Sequence, residues 1–310
     1  MTGPLLADAM RRFQTECPGL FERISGYIRT CFGLDESDLD YRPLNLSEIC
    51  TFLHYQELRE YGGGERWSNA GSRENLSLRY FLAKEIAMQT PNTADIPELY
   101  RRFSQLLHEG DIVISFNWDT LLELSIQAVG KKYAYEILDD HIAIFKLHGS
   151  INWRLGKPDN SVVAEWQPLK EQVHFTEKLI HPESWRHVPS VLGEVEPFIV
   201  LPGFGKSFDV RRLAPFWYKP EYAFGFTHDV FIIGLSLARD DFIIRSFLLD
   251  NLPKVDRSGT KGRKIVVVNP DPLVRDNFGF LVGAKNVHFL CEPFAAKHLG
   301  LMACESSVSA

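Results

Sequence analysis

Four segments of the chain place polar groups directly behind apolar runs: Ser115-Phe116-Asn117-Trp118-Asp119, His148-Gly149-Ser150, Gly234-Leu235-Ser236 and Asn269-Pro270-Asp271. His148 follows the short apolar run Ile142 to Leu147, which puts an imidazole at a sheet edge. An imidazole titrating near its ordinary value of about 6.5 suits general-base work. Gly149 has no Cβ, so another backbone or a ligand can come close. Upstream, Asp111 precedes Ile112-Val113-Ile114, and the chain then turns polar through Asn117 and Asp119 before entering a helix. Gly234 permits close approach of a phosphate or a ribose, and Ser236 adds a hydroxyl. Asn269 and Asp271 suit ribose hydroxyls or an adenine edge.

Each segment also has a plainer reading. Asn117 and Asp119 suit a turn followed by a helix cap. His148 suits a satisfied strand-end histidine. Gly234 suits an ordinary strand–turn–helix connection, and Asn269-Pro270-Asp271 a proline turn closed by an Asx cap. Recurrence favours a site. Four strands in one parallel-sheet pattern each carry polar or glycine residues at the carboxyl end, where open α/β sheets bind ligands.

The elements that must position these groups follow from periodicity. Leu5–Thr15, Leu20–Cys31, Leu46–Tyr61 and Leu76–Met88 repeat apolar residues three and four apart, which predicts helices. Tyr61 to Ser72 is polar and glycine-rich and reads as a mobile loop. Asp95-Ile96-Pro97 opens a further helix that runs to about His108, with Gly110 as its stop. From Asp111 the pattern alternates. Strands are expected at Ile112–Ser115, Ala143–Leu147, Phe198–Leu201, Val230–Gly234, Ile265–Asn269 and Val287–Leu290. Helices are expected at Thr120–Val129, Val210–Ala223, Asp241–Asn251, Leu273–Phe280 and Phe294–Leu299. Such alternation implies an α/β fold, a parallel sheet with helices on both faces. The stretch 152–197 breaks the pattern and reads as a small inserted module, β-rich or irregular. The expected organisation is one domain over 1–303, with a helical segment at 5–108 and a disordered tail at 304–310.

Composition sets outer bounds. The 310 residues suit one large α/β domain. Apolar residues make up 45% and charged residues 24%, ordinary values for a soluble globular protein. A net charge of −6 weighs against a nucleic-acid surface, which usually needs a basic stripe. The basic patch at Lys261, Arg263 and Lys264 reads as a solvated loop. The 5 cysteines are scattered with no Cys-x-x-Cys pair, so structural zinc is not expected and no metal is assigned. Their odd count and the lack of a signal peptide fit a reducing cytoplasm. No run of 18 or more apolar residues exists to make a transmembrane helix.

The order Phe116-Asn117-Trp118-Asp119, Lys146-Leu147-His148-Gly149-Ser150, Gly234-Leu235-Ser236-Leu237-Ala238 and Val267-Val268-Asn269-Pro270-Asp271 resembles the sirtuin-like NAD-binding family. More narrowly, it resembles the bacterial branch that acts in antiphage defence. The resemblance covers residues 105 to 290 and implies a Rossmann-like fold with NAD as the substrate. By it, His148 matches the catalytic histidine, Asn117 the asparagine near the nicotinamide ribose, and Asp119 the aspartate that supports that site. Ser115, Phe116, Gly149 and Ser150 line the same two strand ends. Gly234 and Ser236 match the loop around the adenosine-side ribose and phosphate, and Asn269, with Asp271, the adenine ribose.

Two departures accompany the resemblance. The family opens with a strand running into Gly-Ala-Gly-x-Ser, whose amides cradle a pyrophosphate at a helix N-terminus. Here Gly3 and Pro4 match only the far end of that loop. A start one strand late, or mis-called, is therefore expected, and with it weak NAD binding and little activity. The zinc-binding cysteines of protein deacylases are also absent, and the module at 152–197 takes their place. Water is then the simplest acceptor, which implies an NAD hydrolase that depletes NAD during infection. Two other readings stand beside it: a deacylase or ADP-ribosyltransferase, and a non-catalytic NAD or ADP-ribose sensing module. By resemblance, the expected partner is a homo-oligomer or a separate activator, a hexameric ATPase or an Argonaute-related protein.

Overall fold

The described residues of the N-terminal third are largely helical, with apolar residues recurring three and four apart. The structure, a computed structural model, describes residues 2–33, 45–59, 73–155, 173–175, 197–203, 206, 210, 213–224, 229–237, 241–257, 264–282 and 287–303. Helices α1 (Thr2–Glu16), α2 (Pro18–Tyr27), α3 (Leu46–Arg59) and α4 (Arg73–Gln89) match the four expected helices within three residues at every end but one. That end is the one expected at Cys31, where α2 gives way to a π-helical turn at Ile28–Phe32. Helix α1 lays Leu6, Met10 and Phe13 inward. Phe13 stacks on Phe81 of α4 at 5.0 Å and meets the edge of Phe21 of α2 at 5.6 Å. Each such buried side chain contributes about 1.5–3 kcal/mol.

Helix α4 is buried along most of its length, charges included. Lys84 reaches Glu16 at 3.0 Å, and Arg12 pairs with Glu85. Tyr80 lies among them, and burial first, then the Glu16 carboxylate, pushes its phenol up to about 12.

After α5 (Glu98–Leu106) the chain becomes α/β and Rossmann-like: parallel strands joined by helices. Lys131 donates to the carbonyls of Ser104 (3.2 Å), Gln105 (2.6 Å) and Leu107, and so caps the end of α5. A first parallel sheet has the order β1 (Ile112–Ser115), β3 (Ile142–Lys146), β2 (Tyr133–Ala134). The second runs β7 (Asp229–Ile233), β8 (Lys264–Val268), β9 (Val287–Leu290), in register from Asp229↔Lys264 and Ile265↔Val287 onward. Helices α8 (Phe242–Arg257) and α9 (Leu273–Val282) carry the two crossovers that parallel strands require. Helix α6 (Leu121–Ala128) follows β1, α7 (Ala214–Phe224) precedes β7, and α10 (Ala296–Ala303) closes the described chain against α5.

One expectation needs correction. Phe198–Leu201 was expected as a member of the parallel sheet. Instead β6 (Pro197–Ile199) pairs antiparallel with β4 (Gly149–Leu155), and β5 (Val173–Phe175) flanks β4 on its other side, also antiparallel. Strand β4 begins only two residues after β3, too short a link for the crossover a parallel partner would need. The β-rich module thus starts at Gly149. Residues 156–172 and 176–196 of it lie outside the described residues, as do the expected loop at 61–72, Lys261 and Arg263 of the basic patch, and the tail at 304–310; Lys264, read as part of that patch's loop, instead opens β8.

The described chain groups into two compact units. The first holds 1–95, 115–124 and 146–214; the second holds 96–114, 125–145 and 215–310. The core of the first is built by α1 to α4 with Ile151 of β4 and Ile199 of β6, and Trp118 packs against it. The second is built around β7, β8 and β9, whose central strand is buried from Ile265 to Val268.

Candidate functional site

The ends of β1 and β3 lie side by side. Ala143 N–H donates to Asp111 O (2.9 Å) and Leu147 N–H to Ser115 O (3.1 Å), so the two strands advance in step. Past β1 the loop is tied again: the Trp118 carbonyl accepts from Ile151 N–H (3.0 Å) and from the Ser150 hydroxyl (3.3 Å). These bonds gather Ser115, Phe116, Asn117, Asp119, His148, Gly149 and Ser150 within the first unit. His148 occupies the two-residue link between β3 and β4, partly exposed, with Nε2 shielded from solvent. Its ring meets the Phe116 ring edge-on at 5.3 Å.

Within that cluster the groups do different jobs. Asn117 is exposed, and its N–H donates to Ser115 Oγ at 3.2 Å. Asp119 spends Oδ1 on Leu121 N–H at 3.0 Å and caps α6. Gly149 has φ +73°, and a Cβ there would lie 2.1 Å from the Phe198 carbonyl oxygen. Its open face is thus filled by the neighbouring backbone of β6. Ser150 is fully buried, with its hydroxyl on Trp118.

Beneath the loop lies a buried ion pair. Lys146 Nζ stands 3.0 Å from Glu123 Oε1, and each side chain is 1% exposed. Nζ also donates to the main-chain carbonyl of Asp119. The apolar run Ile142 to Leu147 hides this pair in the sequence, because Lys146 sits within it. The readable signal is that lysine: a cation inside a fully buried strand needs a partner anion.

The second unit holds Gly234, Ser236, Asn269 and Asp271. Gly234 N–H donates to Val268 O (2.9 Å), so the ends of β7 and β8 adjoin. Gly234 has φ +70° with open space where a Cβ would stand. Ser236 is exposed, and Leu237 is buried with φ +51°. Asn269 is buried, and its Oδ1 accepts from Asp271 N–H at 2.9 Å. Asp271 is exposed and gives Oδ1 to Leu273 N–H at 2.9 Å, capping α9. At the end of β9, Glu292 accepts from Lys297 and from His298 Nε2 (2.8 Å). These bonds, Lys297 first, hold the Glu292 carboxyl below its ordinary value.

No protein-family model matches this chain, and no curated protein matches it.

Gly3 and Pro4 are helical, in the first turn of α1, where a proline costs no hydrogen bond. Among the described residues no three His, Cys, Asp or Glu side chains gather as a metal site, and no helix is long and apolar enough to cross a membrane. What the β1–β3 end offers chemically is a partly exposed imidazole, an exposed carboxamide and a carboxylate on one rigid edge. That set suits proton removal next to a polar, hydrogen-bonded reactant.

Proposed function

We propose that the chain is a sirtuin-like NAD hydrolase with His148 as its general base. In the reaction the bond between nicotinamide nitrogen and ribose carbon breaks, and its electron pair stays on nicotinamide. Water oxygen bonds to the same carbon. The water proton passes to His148 and then to solvent, giving ADP-ribose and nicotinamide. Asn117 hydrogen-bonds the reacting ribose or the water, and Asp119 favours the positive charge that develops on the sugar. One observation carries this reading: the Asn117–Asp119 loop and His148 are fixed on one edge by the bonds to Ser115 O and Trp118 O. Gly234, Ser236, Asn269 and Asp271 are assigned to the adenosine side on the resemblance alone. The wider role proposed with it is NAD depletion in antiphage defence, in the cytoplasm, under a separate activator or a homo-oligomer.

A nicotinamide-release assay tests the proposal. Wild type should release nicotinamide from NAD, and His148→Ala should lose about 100- to 10,000-fold in rate. Turnover by the alanine variant within a few-fold of wild type ends the assignment. Release only in the presence of an acylated peptide selects the deacylase instead.

A second reading is favoured by the bonds themselves. Asp119, Ser150, Asn269 and Asp271 each spend a side-chain oxygen on the fold. A module that binds NAD or ADP-ribose without turnover needs no more than the groups left over. Calorimetric binding of NAD with no nicotinamide release would establish it.

A further inference from the structure

We infer that Lys146 is a positioning residue that sets the Asn117–Asp119 loop against His148 through the main-chain carbonyl of Asp119. The inference rests on the proposed NAD hydrolysis for its catalytic part only. Lys146 ends β3, two residues before His148, and its side chain is 1% exposed. Burying a lysine charge is costly unless the charge is both paired and hydrogen-bonded. Here Glu123 neutralises it at 3.0 Å, from the first turn of α6. The pair alone would satisfy electrostatics, yet Nζ also donates to Asp119 O. That bond crosses from the end of the strand that leads into His148 to the residue that caps α6 and closes the loop bearing Asn117.

The arrangement has a direct consequence for the two groups. Asn117 and Asp119 sit in a loop and His148 in a two-residue link, both of them irregular backbone. Irregular backbone keeps a fixed spacing only where hydrogen bonds from outside the segment pin it. Lys146 pins both: its own main chain leads into His148, and its ammonium holds Asp119. Glu123 then acts as the charge partner that holds the ammonium in place.

The test separates the charge pair from the tether. In the full chain, Lys146→Met/Glu123→Leu removes both charges together and leaves volume in place, which buried ion pairs tolerate. Hydrogen exchange at the amides of 117–121, measured without NAD, reads the tether. It should quicken about tenfold or more in the double variant while the melting transition stays near wild type. The kcat for NAD should fall on the order of 100-fold with KM little changed, the usual cost of a displaced reacting group. A double variant that folds and exchanges at the wild-type rate overturns the tether, whatever NAD does. Faster exchange with kcat within a few-fold of wild type overturns the positioning role. If wild type releases no nicotinamide, the hydrolase reading fails, and exchange alone decides the tether. Should the double variant not fold, Lys146→Gln/Glu123→Gln keeps a neutral hydrogen-bonded pair and is judged by the same two measurements.

Discussion

The ends of β1 and β8 carry the same five-residue pattern, Asn-x-Asp-x-Leu, yet the two loops are held in different ways. At Asn117-Trp118-Asp119-Thr120-Leu121 and at Asn269-Pro270-Asp271-Pro272-Leu273 the aspartate Oδ1 accepts from the leucine N–H, at 3.0 and 2.9 Å. The second loop is closed chiefly from within: Asn269 bonds the Asp271 amide two residues on, and two prolines fix their own φ, with the Cys291 thiol adding a weak bond to the Pro270 carbonyl at 3.6 Å. The first is closed by groups far away in sequence, Lys146, Ser150 and Ile151. A loop of the second kind forms wherever its strand ends. A loop of the first kind forms only once β3 and β4 are in place, so its geometry reports on the packing beneath it.

Breaking the buried pair should give the largest effect. Glu123→Leu alone leaves the Lys146 charge without its anion, at a cost of about 3–5 kcal/mol. Adding Lys146→Met should return most of that. Urea denaturation of both variants measures it. A single variant costing under about 1 kcal/mol would mean the first loop does not depend on its distant partners as argued.

The two glycines sharpen the contrast next. Both have positive φ, +73° at Gly149 and +70° at Gly234, so an alanine at either carries about 1–2 kcal/mol of left-handed strain. Only Gly149 adds a collision, with Phe198 O at 2.1 Å. Overpacking adds about 1–3 kcal/mol, so Gly149→Ala should cost about 2–5 kcal/mol. Gly234→Ala should stay within the strain alone. Equal losses in denaturant melts would show that Phe198 moves aside freely.

These differences track what the sequence made legible. Local signals read well: the helical periods of α1 to α4, the strands β1, β7, β8 and β9, and the Asx turn after β8 all depend on neighbours along the chain. Non-local ones did not. Ser150 was expected at a strand end, but it lies inside β4, because pairing with Phe198 extends the strand through it. Gly149 was read as open to a backbone or a ligand, and only the register of β6 decides for the backbone. Lys146 gives no local sign of its pairing, because its partner stands 23 residues upstream, on a helix whose facing side no local pattern reveals.

The caps should give smaller effects that differ in kind. Asp271→Ala and Asp119→Ala each remove an acceptor from a helix start, costing about 0.5–2 kcal/mol. Asparagine keeps a carbonyl acceptor, so Asp119→Asn should hold stability within about 0.5 kcal/mol of wild type. If the Asp119 charge serves the proposed reaction, the same variant loses nicotinamide release. Unchanged stability with unchanged turnover would leave Asp119 as a cap, like Asp271.

The smallest effect lies at the end of β9, where closure is local but ionic. Lys297 and then His298 hydrogen-bond Glu292 and lower its carboxyl from an ordinary value of 4.5. His298 Nδ1 accepts from Ala295 N–H at 2.9 Å, which leaves the ring proton on Nε2, facing Glu292. The sign of the pH effect follows. A carboxyl more acidic in the folded chain than in the unfolded one adds stability above the unfolded value. That contribution is lost as pH falls through the lower folded value. Glu292→Gln should therefore melt slightly below wild type near neutral pH, and the gap should close on acidification below about 4.5. The Glu292 carboxylate is solvent-accessible, so salt should shrink the gap as well. Melting curves from pH 7 to pH 3, at low and high salt, measure both trends. A gap that widens toward acid would mean that protonated Glu292 is the form the fold prefers, and that the β9 end is closed by Lys297 and His298 in some other way.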